Sequence, residues 1–422
     1  MAKASSRSRK ISFQNKLAKK VMEAVVGKKT IFLDYDDIHD GTPNPIYDSF
    51  QYIIKPPSLC YAIRILLRPT FWVPQSYSLG EWYVKKGDLA DVIDSAVQNS
   101  HDVYGRYFKF IKAQRTIRHL IKQYLFVKFF TRMVRRHYDE DPEIYRCILD
   151  EEMSYTCAFY QEESDSLLDA QNNKYEKILE RVLLPEESPK VLNIGFGWGS
   201  LERYLVRRYS SAQITGLTIS NSQLQWAKQH NTAVLDASRN ARISLLFQDY
   251  ADHDAFGIYD AVVAVGMMEH VGKGHFDAFF GKIHELLKPG GRCLIHIMIR
   301  PEPNMPTNRW IDKYIFPGGY TPSASEVVES IESTDFIVEQ IYIHNSENYR
   351  KTVHEWRRNL HRNKETFLKV LSRQGFEPDR LEIIFRRWEV YLAGAEVSFS
   401  GRPESTQVAH FVMRKYESYP AH

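Results

Sequence analysis

Apolar positions set the first reading of the chain. From Asn172 onward, Tyr175, Ile178, Leu179, Val182 and Leu183 recur at helical spacing. Lys190–Ile194 then reads as an apolar strand, Ser200–Arg208 as a helix, Gln213–Ile219 as a strand and Ser220–Gln229 as a helix. Ile243–Gln248 and Tyr259–Val265 read as strands. His275–Leu287 reads as a helix stopped by Pro289-Gly290-Gly291, and Arg292–Ile299 as the next strand. Two long helical stretches follow, and Gln407–Lys415 reads as a late strand at a sheet edge. Strands alternating with helices predict a doubly wound parallel sheet with helices on both faces. In such a sheet, ligands bind beyond the carboxyl ends of the strands.

The first part of the chain is patterned differently. Residues 1–10 are polar and basic. Ile11, Phe13, Leu17, Val21 and Val25 then suggest a short basic amphipathic helix across Ile11–Val26. The acid-poor start is also compatible with a transit peptide. Residues 31–103, punctuated by Pro and Gly, read as a small α+β region. Tyr104–His137 interleaves aromatic, aliphatic and basic residues. The expected division is a basic extension over 1–30, a lipid- or membrane-associated region over 31–171, and a catalytic domain over 172–422.

Charge sharpens this picture. The 422 residues carry a net charge of only +4, but the distribution is uneven. Residues 1–30 hold nine Lys/Arg and one acid, and residues 106–136 hold ten Lys/Arg and none, so the rest of the chain is acidic. Two concentrated basic segments call for an anionic partner, and a basic aromatic helix suits a membrane surface. No nucleic-acid-binding module surrounds them, so nucleic acid is not expected. No long uncharged apolar run appears, so the expected location is cytoplasmic and peripheral on a membrane. The four cysteines, Cys60, Cys147, Cys157 and Cys293, lie far apart with no paired motif. Neither a disulfide framework nor a metal site is expected.

Two segments carry candidate chemistry. In VLNIGFGWGS (191–200) a strand enters a turn with Gly195, Gly197 and Gly199 and continues into a helix. Such turns admit nucleotides or S-adenosylmethionine close to the backbone. A nicotinamide site usually places an acid at the end of the next strand, but here that strand ends in GLTIS, with Thr218 and Ser220. In VGMMEHVGKGHF (265–276), Glu269 and His270 follow the fourth strand at the ligand edge of the sheet.

With these segments in hand, the chain resembles the cyclopropane fatty acid synthase family of S-adenosylmethionine-dependent methyltransferases. The matching segments run in order: HYDEDPEIYRCILDEEMSYTCAFY (137–160), VLNIGFGWG, GLTISNSQ (216–223), VGMMEHVG, LKPGGRCLIHIM (287–298), WIDKYIFPGGYTPS (310–323) and YLAGAEVSF (391–399). The resemblance implies an α/β fold: a seven-stranded Rossmann-like class I methyltransferase sheet preceded by a mainly helical N-terminal region. It also implies that Tyr155 and Thr156 close over the cofactor, with Gly195, Gly197 and Gly199 beside its amino-acid part. Thr218 and Gln223 fall on its ribose side, Asp249 or Tyr250 near adenine, and Gly266 where the backbone faces the methionine part. By the same resemblance, Cys157, Glu269, His296 and Tyr349, with the backbone at Met298, hold a bicarbonate ion.

That cage makes chemical sense. An alkene attacks the sulfonium methyl directly, and the resulting carbocation needs a base to remove a proton. Read from spacing alone, His296 and Cys157 are ordinary buried core residues, and only their place in the family pattern gives them a role. The expected reaction is therefore methyl transfer to the double bond of an unsaturated phospholipid acyl chain, giving a cyclopropane or methyl-branched product. The chain also departs from the family pattern at Asn193, Phe196, Met298 and Ala395, with Glu396 following. The last feature, with the Glu-His pair, resembles plant N-methyltransferases of benzylisoquinoline alkaloids, so methylation of a small amine is the alternative. Nothing in the sequence fixes the oligomeric state, and a homo-oligomer stays open.

Overall fold

The computed structural model describes residues 16–20, 22–23, 30–32, 52–99 and 141–416. It divides into two compact units. Among the described residues, one comprises those up to residue 99 together with Asn308–Ile315 and Lys364–Ser398; the other comprises residues 141–307, Phe316–Asn363 and 399–416. The basic stretch expected to dock on a membrane, Tyr104–His137, lies outside the described residues, as does most of Ile11–Val26, which is helical at 16–20 and 22–23.

In the first unit, β1 (Thr30–Phe32), β2 (Tyr52–Lys55) and β3 (Tyr83–Lys86) form a three-stranded sheet, parallel between β1 and β2 and antiparallel between β2 and β3. Helices α1 (Leu59–Leu67) and α2 (Pro69–Ser78) connect β2 to β3. Pro69 sits in the first turn of α2, where its missing N–H costs nothing.

The second unit holds the seven-stranded sheet. Its strands are β4 (Lys190–Ile194), β5 (Gln213–Thr218), β6 (Ile243–Phe247), β7 (Tyr259–Val265), β8 (Leu287–Ile299), β9 (Phe336–His344) and β10 (Gln407–Lys415), in the order β6-β5-β4-β7-β8-β10-β9. The first five in that order are parallel, and β10 runs antiparallel to both neighbours. Helices α3 (Leu167–Val182), α4 (Ser200–Arg208), α5 (Asn221–Val234), α6 (Phe276–Leu286), α7 (Ala324–Glu332) and α8 (Ser346–Arg362) connect and cover the strands. The capping boxes at Ser166/Asp169 and Ser323/Glu326 fix where α3 and α7 begin.

Two sequence expectations are corrected here. Gln407–Lys415 is not an edge strand. Val408–Met413 are all buried, a run apolar except for His410 and suited to an interior strand, and β9 takes the edge with Ile337, Ile341 and Ile343 exposed. The strand expected to begin at Arg292 begins at Leu287, because pairing with β7 resumes across Pro289-Gly290-Gly291 after a register shift.

The sheet core lies between β4, β7, β8 and α6, where Phe276, Phe279, Phe280 and Ile283 pack against Leu192, Val262 and Ile295. On the other face, α3 and α4 cover Val191, Val263, Leu294 and Val412. The five parallel strands β6, β5, β4, β7 and β8 lead their carboxyl ends to one edge, which is where a doubly wound sheet receives its ligand.

Candidate active site

A cavity of about 770 Å³ opens at that edge, beyond β4, β5 and β7. It is lined by Tyr155, Thr156, Gly195 and Gly197 on one side and by Thr218, Gln223, Asp249 and Tyr250 on the other, with Gly266 between. The structure thus brings nine of the ten expected cofactor residues to one cavity. Gly199 is the exception: it does not line the cavity but caps the start of α4 in a left-handed conformation.

The glycine turn lines the cavity with backbone. The N–H groups of Gly195 and Phe196 both donate to Leu217 O, at 2.9 and 3.1 Å, so the turn folds back on β5. Gly195 has φ +81°, and a Cβ there would lie 2.6 Å from Met267 Cγ. Gly266 has φ +66°, and its Cβ would lie 2.8 Å from Thr156 Cγ2. Both positions need glycine for conformation and for space.

The polar edge is built from short-range bonds. Thr218 Oγ1 donates to Gln223 Oε1 at 3.0 Å and accepts from Ser220 N at 3.1 Å, while Ser220 caps α5. Asp249 accepts from Ala251 N at 3.1 Å and starts a short turn that presents Tyr250, whose ring meets Phe279 edge-on at 5.2 Å. On the opposite side, the Tyr155 ring lies among Tyr145, Phe316 and Trp356, at centroid distances of 5.4, 6.4 and 5.1 Å.

The sequence reading missed the support beneath Thr156. Lys174, fully buried on α3, donates to Thr156 Oγ1 at 2.7 Å and to Gln171 Oε1 at 2.6 Å, and Gln171 Nε2 donates to Thr156 O at 2.9 Å. Burial pushes the Lys174 ammonium down, partly offset by Asp150, whose own carboxyl burial pushes up. The signal was present in the spacing: Gln171, Lys174, Tyr175, Ile178 and Val182 share the buried face of α3.

The four expected acceptor-side residues do not line the cavity wall. Cys157 is buried with Phe159, Phe399 and Val408, and Met298 and Tyr349 pack against them. Tyr349 stacks on Phe399 at 4.2 Å. Glu269 Oε1 accepts from Met298 N at 2.9 Å, and its Oε2 is buried with no hydrogen-bond partner among the described residues. Burial raises the Glu269 carboxyl from its ordinary 4.5 to about 7. Burial also pushes the Cys157 thiol far up, so it is neutral, and Cys157 Sγ donates to Ala158 O at 3.3 Å. His296 is buried and does not line the cavity, and its carbonyl accepts from Gly266 N at 2.9 Å. The two groups of residues therefore adjoin through the backbone of β8. Among the described residues, no cluster of His, Cys, Asp or Glu could hold a metal ion.

Asn193 supplies a local test of the site's electrostatics. Its Nδ2 donates to Glu202 Oε1 at 2.8 Å, and burial raises the Glu202 carboxyl to about 7. Asn193→Asp would bury two carboxylates side by side. We expect it to cost about 2–4 kcal/mol at pH 8 and distinctly less at pH 5, where one shared proton relieves the repulsion. Denaturant unfolding at the two pH values measures this, and an equal cost at both would refute the pairing.

The sheet order, the glycine turn and the cavity beyond the strand ends are those of a class I methyltransferase. The mycolic acid cyclopropane synthetase family matches residues 128–411, and the chain belongs to that family. It is 36% identical to the cyclopropane-fatty-acyl-phospholipid synthase of Escherichia coli K12 over 199 residues, 47% of this chain and 49% of the relative. It is 31% identical to a probable fatty acid methyltransferase of Pseudomonas putida, over 62% of this chain and 64% of the relative. The chain thus spans about half to two-thirds of the length of these curated relatives. Among solved structures, mycolic acid cyclopropane synthase CmaA1 complexed with SAH and CTAB matches with a TM-score of 0.59 and 26% identity, covering 68% of this chain and 98% of that one. Coclaurine N-methyltransferase shares the fold, with a TM-score of 0.62 at 18% identity, covering 81% of this chain and 98% of that one.

Proposed function

We propose that the chain transfers a methyl group from S-adenosylmethionine to the double bond of an unsaturated phospholipid acyl chain, yielding a cyclopropane or methyl-branched product. The observation that carries this reading is Glu269: a fully buried carboxyl, poised near neutrality, with one oxygen lacking any partner among the described residues. Direct attack by an alkene needs no protein nucleophile, but it does need a dry proton acceptor, and Glu269 suits that role. Bound S-adenosylmethionine supplies the electrophilic sulfonium methyl.

The residues of this chain do the rest. The turn at Gly195 and Gly197 admits the cofactor to the backbone, and Thr218 and Gln223 face its sugar. Tyr155, held among aromatic rings, closes the opposite side, and Thr156, tied to Lys174, abuts Gly266. The corner around Glu269 also fits a bicarbonate ion, because the unpartnered Oε2 and the buried His296 offer places for shared protons. Cys157, Glu269, His296 and Tyr349, with the backbone at Met298, would hold it, and the ion would supply an oxygen base.

A second reading, methylation of a small amine, draws on His270, which lines the cavity next to buried Glu269. Lipid mass spectrometry of cells expressing the chain separates the two. A gain of one CH2 unit in unsaturated acyl chains is the expected result. Unchanged lipids together with a methylated amine would overturn it.

We further propose that residues 31–171 serve lipid access and that the protein works on the cytoplasmic face of an anionic membrane. The support is compositional: ten cations and no acid in residues 106–136. No helix among the described residues is long and apolar enough to cross a membrane. Flotation with anionic vesicles is expected to show binding that weakens with salt and fails when Arg132, Arg135 and Arg136 become Glu. Retention by the triple variant would refute docking through this segment.

A further inference from the structure

One face of the sheet carries a chain of buried histidines. His410 stands directly opposite His296 in the β8–β10 register, and His344 lies on the same face of β9. His296 Nδ1 and His410 Nε2 are 2.8 Å apart. Arg181, near the end of α3, reaches in from the covering helix. Its Nη1 contacts both His410 Nδ1 and His344 Nε2, the latter at 3.1 Å. The guanidinium lies 3.7 Å over the Tyr342 ring, and Phe159 stacks on His344 at 4.1 Å and covers His410 and His296.

Proton accounting leaves one arrangement. An arginine in a protein is always charged and can only donate. Nη1 has two hydrogens and two imidazole partners, so His410 Nδ1 and His344 Nε2 must both be bare. A neutral His410 then carries its proton on Nε2 and donates to His296 Nδ1, and a neutral His296 carries its own on Nε2. Running the chain in reverse, or charging His410, would point two N–H groups at each other across the Arg181 contact.

We infer that Arg181 and His410 are positioning residues that lock His296 as an Nε2–H donor toward the acceptor side of the site, not as a proton acceptor. The inference rests on the proposal that His296 serves that site, and it deepens it by assigning proton removal elsewhere, to the Glu269 corner. The charged and titratable groups around His296 agree. Burial, then Lys174, His344 and Arg181, hold it well below its ordinary value, and no carboxylate is among them. Burial, then His296, His344, Arg181 and Lys174, do so for His410.

NMR of ring-nitrogen-labelled histidine reads the tautomers without substrate. The expected result is Nε2–H for His296 and His410, Nδ1–H for His344, and no protonation of His296 between about pH 5 and 8. Finding Nδ1–H or a cation at His296 overturns the inference. His410→Gln keeps an acceptor for Arg181 and a donor for His296, so it should preserve the Nε2–H state. His410→Phe should release His296 into mixed tautomers. Should His410→Phe not fold, Arg181→Met removes the anchor and should release His296 in the same way; a locked Nε2–H His296 in either variant refutes the relay. In turnover, His410→Phe is expected to lose at least about tenfold in kcat with the cofactor KM nearly unchanged, and His410→Gln to recover most of it. Absence of lipid methylation by the wild type would sink the proposed reaction while leaving the tautomer result standing.

Discussion

Glu269→Gln is expected to lower methyl transfer about 100- to 1,000-fold while leaving S-adenosylhomocysteine affinity nearly unchanged. The variant keeps an oxygen to accept from Met298 N, so β8 and the cavity wall stay in place. What it loses is the second oxygen, the buried acceptor with no partner among the described residues. In the wild type, activity should rise with pH through about 7, as the Glu269 carboxyl gives up its proton, and the Gln variant should lose that limb. Stability should run the other way. The folded Glu269 keeps its proton between 4.5 and about 7, where the unfolded chain has released it, so its contribution is full below 4.5 and falls as pH rises toward 7. Glu202 acts with the same sign. The Gln variant should therefore match the wild type near pH 4 and gain on it at pH 8. Equal turnover by the two proteins, or a pH limb surviving in the variant, would remove Glu269 from the chemistry.

Gly195→Val should abolish cofactor binding, with a loss of more than about 100-fold in S-adenosylhomocysteine affinity by calorimetry. Two effects add there. The residue has φ +81°, which a β-branched side chain adopts only at a cost, and the new Cβ would meet Met267 at 2.6 Å, on the segment that carries Gly266 and Glu269. Gly197→Ala separates the two effects. Its φ is +58°, but nothing lies within 4 Å of the added Cβ. That variant should carry only the conformational cost of about 1–2 kcal/mol and retain measurable binding. If Gly197→Ala were the more damaging of the two, the cofactor backbone would have to pass closest to Gly197.

Some elements are legible in the sequence and others are not, for identifiable reasons. Strands β4, β5 and β7 and the turn at Gly195 are legible because parallel strands buried on both faces leave apolar runs, and glycine marks the bends. The strand Phe336–His344 leaves no such run: FIVEQIYIH mixes exposed isoleucines with Glu339 and Gln340, as an edge strand can. The placement of β10 between β8 and β9 depends on antiparallel register across more than a hundred residues, which local periodicity does not encode. The site divides in the same way. Glu269 is readable because it follows a strand at the ligand edge. Arg181, His344 and His410 are not, because each is a lone polar residue until the sheet register brings them together.

Synthesis of the first unit has to wait for its own far end. Helix α2 packs against the helix Pro378–Ser398, and the Tyr77 hydroxyl donates to Glu389 Oε2 at 2.7 Å across 312 residues. At a ribosomal rate of about 5–20 residues per second, α2 waits about 15–60 s for that partner to be synthesised. During that interval Tyr77 and its neighbours lack the surface they pack on in the finished fold. A nascent chain cut short before Pro378 can complete neither this contact nor the one between Lys364 and Glu382. Soluble production therefore depends on holding the early segment unaggregated until Pro378–Ser398 has emerged.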